Sequence, residues 1–232
     1  MKRLVGRAYA DPAVQKELTD LAYECEALPN GNVGVKVMYD GEPTTCSAEH
    51  FLAMCLVKAQ SIVKFANNNT AMGDCVMAVP ASYTDAQRRA ILNACEIASM
   101  NCLKVTNENN AVALSYGIFK SAKKLFSETE NQHIMFIDMG YTGYCVTIVA
   151  FMQGNMKILG TVCDDNLGGR DYDAAIIAYL CDEFEKKTKI DVRKNKKALL
   201  KLQVAAEKAK KTLSPNGVSE APVNVECLAE DM

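Results

Sequence analysis

The chain has 232 residues, is 49% hydrophobic and 23% charged, and so can bury a core as one large domain or two smaller ones; it is not a disordered tail. Its formal net charge of -2 gives no general attraction to nucleic acid or membrane, and no apolar run reaches the length of a membrane span. Ten scattered cysteines without a C-x-x-C pair, only two histidines (His50 and His133) and no signal-peptide core disfavour a zinc site and suit a reducing, cytoplasmic setting with the cysteines as small core residues.

In chain order, Asp11-Pro12 opens a helix with Val14, Leu18, Leu21 and Ala22 on its apolar face, and Pro29-Asn30-Gly31 ends it. Val33 to Tyr39 alternates as a strand, Asp40-Gly41 is a hairpin turn, and Thr44 to Cys46 returns. Ser47 caps a second helix whose inward residues are Phe51, Leu52, Cys55, Leu56, Ala59, Ile62, Val63 and Ala66, ended by Asn67-Asn68-Asn69. Cys75 to Val79 is a continuous apolar strand, as in a buried sheet, closed by Pro80. Thr84-Asp85-Ala86-Gln87 is a capping box for a helix with Ile91, Ala94, Cys95 and Ala98 inward. Leu103 to Val105 is a strand, Asn107 to Asn110 a polar corner, and Ala111 to Tyr116 a helix that ends at Gly117.

Ser121 to Gln132 is polar and reads as an exposed connection between lobes. His133 to Thr147 is then two strands joined by a tight turn, with Asp138 at its mouth. A carboxylate there, beside exposed backbone N–H groups, could hold a metal–phosphate; aspartate and glycine are equally ordinary turn residues. Met156 to Val162 is a third strand. Asp171 to Lys187 is a helix with Ile176, Tyr179, Leu180 and Phe184 inward, and Ala198 to Leu213 another with Leu199, Leu202, Ala206, Ala209 and Leu213 inward. Val223 to Leu228 alternates as a last strand. The class is α/β with mixed sheets. Neither GxGxxG nor GxxxxGK[ST] occurs, which disfavours a dinucleotide enzyme or a P-loop ATPase.

Met77-Ala-Val-Pro-Ala-Ser-Tyr-Thr-Asp-Ala-Gln-Arg88, Thr106-Asn-Glu108 with Ala111 to Gly117, Asp138-Met-Gly140, Leu167-Gly-Gly-Arg-Asp-Tyr-Asp173 and Ala206-Glu-Lys-Ala-Lys-Lys-Thr-Leu-Ser214 occur in one order. Together with Lys2-Arg-Leu-Val-Gly-Arg7, this series resembles the ATPase domain of the 70-kDa heat-shock chaperones along the whole chain. Details are more similar to that family's large, 110-kDa relatives. Tyr141 and Thr142 replace two hairpin glycines, Gly143 stands at the hairpin threonine, Cys145 stands at an acid, and Asn109 replaces a proline.

The resemblance implies an incomplete actin-like (ribonuclease H-like) two-lobed fold with ATP or ADP and Mg²⁺ between the lobes. Residues 1–46 and 47–132 would be the peripheral and core parts of lobe one. Residues 133–167 and 168–232 would be core and peripheral parts of lobe two. Lys2 is implied at the γ-phosphate, and Glu108 and Asp138 near the metal's water shell. Gly140, Tyr141, Thr142 and Gly143 would form the phosphate hairpin, and Gly168 and Gly169 a turn close to the nucleotide. Glu207, Lys210, Lys211 and Ser214, on one helix face, would flank adenine and ribose. The lysines of 186–211 are interrupted by Glu185, Asp191 and Glu207 and lack an aromatic series, so nucleic-acid binding is not expected.

The family's first phosphate hairpin would precede Lys2 and its second adenosine stretch would follow Met232, so a fragment is expected, with little or no ATPase activity and with exposed apolar edges. The implied whole protein is a stress-response co-chaperone that exchanges nucleotide on a 70-kDa heat-shock chaperone and holds unfolded polypeptides. The alternatives are a foldase that cycles ATP itself, and another actin-like kinase.

Overall fold

Residues 1–19, 21–226 and 228 are described by a computed structural model. Contacts divide the chain into two units: Met1–Ile134 with Ile148–Leu159, and Met135–Thr147 with Gly160–Met232. No helix among the described residues is long and apolar enough to cross a membrane.

In the first unit, α1 (Pro12–Leu18) starts where expected, because the Asp11 carboxylate accepts the Ala13 N–H at 2.8 Å. It stops at Leu18, well before Pro29. The missed element is β1 (Cys25–Ala27), which adds antiparallel to β2 (Val33–Tyr39), and β2 pairs in turn with β3 (Glu42–Ser47). The edge of β2 satisfies the backbone from Glu24 to Ala27, and this tertiary pairing overrides the helix propensity of the glutamates.

α2 (Ala48–Ala66) is capped by Ser47, whose hydroxyl accepts the His50 N–H at 3.3 Å. Its inward stripe is shorter than the periodicity implies. Ala53 is buried and Phe51, Leu52 and Leu56 are half-buried, but Cys55, Ala59, Ile62, Val63 and Ala66 are exposed. β4 (Asp74–Val79) and β5 (Asn101–Asn107) form a two-stranded parallel sheet. It is covered on one face only: Val76 and Leu103 are exposed, so the continuous apolar run is not a strand buried on both sides.

α3 (Asp85–Ile97) has both arms of its capping box, and Ile91, Ala94 and Cys95 with the cap residue Ala98 are buried as predicted. The core around it joins Leu4, Val5, Val14, Val33, Val79 and Ile91.

α4 (Glu108–Ala122) begins at the supposed polar corner and continues through Gly117. Gly117 is not a helix stop. A Cβ there would lie 2.7 Å from the ring of Phe151, so the glycine admits that ring against the helix. Phe151 stacks on Phe126 at 5.0 Å and meets Tyr116 at 5.6 Å. Ser121 is half-buried and the stretch from Ala122 to Gln132 is exposed except for Phe126, which is buried in this aromatic group.

β6 (Gln132–Met139), β7 (Tyr144–Met152) and β8 (Asn155–Asp164) make a third sheet in chain order. In the second unit, Cys145 of β7 is joined to Cys163 of β8, a pairing that the reading of most cysteines as small core residues did not include. Thr147 and Thr161 hydrogen-bond beside them at 3.0 Å.

α5 (Gly169–Thr188) turns Asp173, Ile177, Leu180, Cys181 and Phe184 inward; Tyr179, predicted inward, is exposed. α6 (Lys196–Leu213) buries Ala198, Leu202, Ala206 and Ala209 and leaves Leu213 exposed. The two helices share a core with Val192 and Leu228. The expected strand at Val223–Leu228 does not form: residues 223–226 carry no strand, and Cys227 lies outside the described residues. Val225 packs instead against the α5–α6 core.

Candidate functional site

The head of α4 gathers two of the predicted residues in the first unit. Glu108 is the first residue of α4, where a carboxylate complements the helix dipole. Its Oε1 takes the Lys2 ammonium at 2.9 Å. Lys2 is not a frayed terminus: the Leu4 and Val5 amides donate to the Met1 carbonyl, both side chains are buried, and the Tyr83 hydroxyl donates to the Lys2 carbonyl at 2.5 Å.

Arg88 of α3 secures the same corner. Its guanidinium donates to the Tyr83 carbonyl at 3.0 Å and to Asn107 Oδ1 at 2.7 Å. Asn107 is the residue before the helix, and it makes no side-chain cap to α4. Asn109 is buried, and its Nδ2 has no partner. The Lys2–Glu108 pair is half-exposed, so it can open to another anion or cation at small cost.

The second unit holds the central turn. Gly140 donates to the Gly143 carbonyl at 2.9 Å and closes the loop between β6 and β7. The chain at Gly168–Arg170 runs directly against this turn. Gly169 N–H donates to the Gly140 carbonyl and Arg170 N–H to the Tyr141 carbonyl, each at 3.0 Å. A Cβ on Gly168 would run into the Tyr141 carbonyl oxygen and lie 2.9 Å from the Thr142 nitrogen. Only glycine allows this main-chain contact. Gly168 N–H in turn donates to Asp171 Oδ2 at 2.7 Å, so Asp171 organises the start of α5.

The amides of Tyr141, Thr142 and Gly143 find no backbone acceptor among the described residues, and all three residues are at least half-exposed. Exposed turn amides of this kind are able to donate to the oxygens of an anion. Asp138, two residues before the turn, is exposed in β6. Asp138 belongs to the second unit and the Lys2–Glu108 corner to the first.

Lys210 of α6 has an internal role. Its ammonium stands 2.7 Å from Asp173 Oδ1, donates to the Gly169 carbonyl at 3.0 Å and lies 5.9 Å from the Tyr141 ring centre. Asp173 is buried, yet no donor is aligned on either of its oxygens. The pair is therefore an ion pair by proximity, with charge met but hydrogen bonding incomplete.

On the outer face of α6, Lys211 and Glu207 pair at 2.7 Å. The hydrogen bond between them, more than their charges, lowers the Glu207 carboxyl and raises the Lys211 ammonium from their ordinary values. Val204, Glu207, Lys208, Lys211 and Thr212 line a shallow open hollow there. Ser214 follows as the C-terminal cap residue of the helix.

The predicted residues other than Asp138 and Ser214 thus form three groups. Lys2 joins Glu108. Gly140, Tyr141, Thr142 and Gly143 join Gly168, Gly169 and Lys210. Glu207 and Lys211 share a helix face. Arg88, Tyr83 and Asp173 escaped sequence reasoning. A signal existed for Asp173, because a carboxylate on the inward stripe of α5 requires a cation from a neighbouring element.

Comparison with known proteins adds a family. The model described as "Hsp70 protein" matches residues 1–232. The chain is 42% identical over 231 residues to human "Heat shock 70 kDa protein 4L" and 41% identical over 235 residues to rat "Heat shock 70 kDa protein 4". It is 39% identical over 230 residues to the sea urchin "97 kDa heat shock protein" of Strongylocentrotus purpuratus. These alignments cover 100%, 100% and 99% of this chain, but 27%, 27% and 26% of the relatives. The chain thus spans about a quarter of the length of the curated relatives it matches. It belongs to the Hsp70 family, whose fold is the actin-like ATPase fold, and the resemblance to the large relatives is met by these matches.

Proposed function

We propose that this chain is part of the ATP-binding domain of a large heat-shock-type chaperone. The whole protein would act as a co-chaperone, exchanging nucleotide on a 70-kDa heat-shock partner and holding unfolded polypeptides. The observation that carries the reading is the Gly140–Gly143 turn, with three successive amides that find no backbone acceptor among the described residues, and with the exposed Asp138 just before it. Such amides suit phosphate oxygens. Asp138 suits a metal-bound water, since magnesium keeps several waters and takes few carboxylates directly.

Bound MgATP would supply the phosphoanhydride and its divalent counter-charge. The chain's own residues bind and orient it. Lys2 offers an ammonium to phosphate oxygens, and Glu108 holds that ammonium until a phosphate competes for it. Gly168, Gly169 and Lys210 hold the turn in shape from behind. Glu207, Lys211 and Ser214 offer the polar face for ribose and adenine. In this reading residues 1–46 and 168–232 are peripheral subdomains, and 47–132 and 133–167 belong to the cores.

Brisk hydrolysis is not expected. Gly143 offers no hydroxyl, and Cys145, joined to Cys163, offers no carboxylate to orient or deprotonate an attacking water. Nucleotide then serves mainly to select a shape, which is what an exchange factor needs.

Calorimetric titration of the chain with ATP, with and without Mg²⁺, tests the binding. Saturable, Mg²⁺-dependent binding weakened roughly tenfold by Asp138→Ala is expected, with no turnover above background. Absence of binding at millimolar ATP by the whole protein as well as by this chain would remove the nucleotide reading. Turnover that Asp138→Ala abolishes would favour the self-cycling foldase. For the whole protein, faster release of labelled ADP from a 70-kDa partner is expected, and an unchanged release rate would sink the exchange role.

A further inference from the structure

Three thiols converge in the first unit, away from the residues above. Cys75 of β4 lies opposite Cys102 of β5 in the parallel pair. Cys95 of α3 is buried against the same sheet. The three sulfur atoms all lie within 4.8 Å of one another. Cys75 and Cys102 are half-exposed, so the group is reachable from solvent. Three sulfurs bound to one centre at about 2.3 Å stand about 4 Å apart, so closing on a shared ion needs movements below roughly 1 Å.

We propose that Cys75, Cys95 and Cys102 form a three-thiol binding site for a trivalent thiophilic metalloid, with arsenic(III) as the representative. The choice of ion follows from ligand number and burial: three sulfurs converge, one of them buried, and among the described residues no fourth histidine, cysteine or carboxylate donor joins the group. Burial, then the neighbouring thiols, push Cys95 up to about 12, and burial first of all raises Cys75. The Cys102 thiol donates to the Lys104 carbonyl at 3.4 Å. The site therefore resists standing negative charge.

Three thiolates on Zn²⁺ or Cu⁺ would leave net charges of about -1 or -2 in this apolar setting, and zinc also seeks a fourth ligand. Arsenous acid avoids both costs. Three As–O bonds break and three As–S bonds form. The thiol protons leave with the hydroxides as three waters. Arsenic keeps its oxidation state, and charge is zero before and after. A trigonal centre needs no fourth donor, and the three ligands would tie β4, β5 and α3 together.

The test uses the chain reduced with a non-thiol phosphine and incubated with arsenite. Alkylation followed by peptide mapping should find Cys75, Cys95 and Cys102 protected together, and intact mass should rise by one arsenic less three hydrogens. Cys95→Ala should weaken arsenite binding roughly tenfold or more, by removing one arm of the chelate. If that variant does not fold, the map of the unaltered chain decides alone. Absence of joint protection overturns the site. Joint protection by Zn²⁺ but not by arsenite overturns the metalloid assignment.

Discussion

At the head of α4, the groups that hold Glu108 are side chains: Lys2 pairs with it and Arg88 fastens Asn107 beside it. At the head of α5, the groups that hold the Gly140–Gly143 turn are mostly main chain: two N–H donors from Gly169 and Arg170, and a glycine where no Cβ fits. Side-chain contacts between half-exposed ions can be lost singly and re-formed with a ligand. Main-chain contacts at van der Waals distance cannot yield without moving the backbone. The first arrangement suits a group that must change partners, the second a group that must hold its shape.

Five experiments test that contrast, read by hydrogen exchange in α3 and α6 so that each unit reports separately. Gly168→Ala should cost most, about 3 kcal/mol, because its Cβ meets the Tyr141 backbone and not a flexible side chain. Protection of α6 unchanged in this variant would contradict a main-chain-locked turn. Asp173→Ala should cost about 2 kcal/mol by leaving the Lys210 ammonium without its partner; Lys210 is partly exposed, which keeps the loss below that of a fully buried pair.

Alkaline pH acts in the other direction along the chain. The folded Cys95 thiol holds its proton up to about 12, whereas the same thiol unfolded ionises near 9.0. The folded state therefore binds more protons between those values. This stabilisation is complete below pH 9 and is lost as pH climbs toward 12. α3 should lose protection over that range before α6, which shares a core with α5, where burial also raises Cys181; the reverse order would count against the thiol cluster as the weak point.

Thr84→Ala removes both hydroxyl contacts of the capping box and should cost about 1 kcal/mol, seen in α3 alone. Lys2→Met should change stability by less than about 0.5 kcal/mol, since its ion pair is half-exposed. The same variant should weaken MgATP binding. Equal affinity in calorimetry would place Lys2 outside the ligand site.

Local chemistry was legible wherever one short segment contained the whole interaction. The Ser47 and Thr84 caps, the Asp11-Pro12 helix start and the Val33–Tyr39 strand all stand where their residues predict. Each depends on hydrogen bonds spanning a few residues, or on strict alternation. The motif order also sufficed for the family. Features that depend on distant partners were not legible. Gly117 reads as a helix stop until Phe151 is seen against it, and the lysine at 210 reads as a ligand-facing group until Asp173 and the Gly169 carbonyl claim it.

The cysteines draw the same line. Composition alone counted them as scattered small core residues. Only the fold brought Cys75, Cys95 and Cys102 to one point and joined Cys145 to Cys163. Spacing along a chain records neighbours within a helix turn or a hairpin. Convergence of residues from β4, α3 and β5 is set by how those elements pack, and no local pattern carries that information.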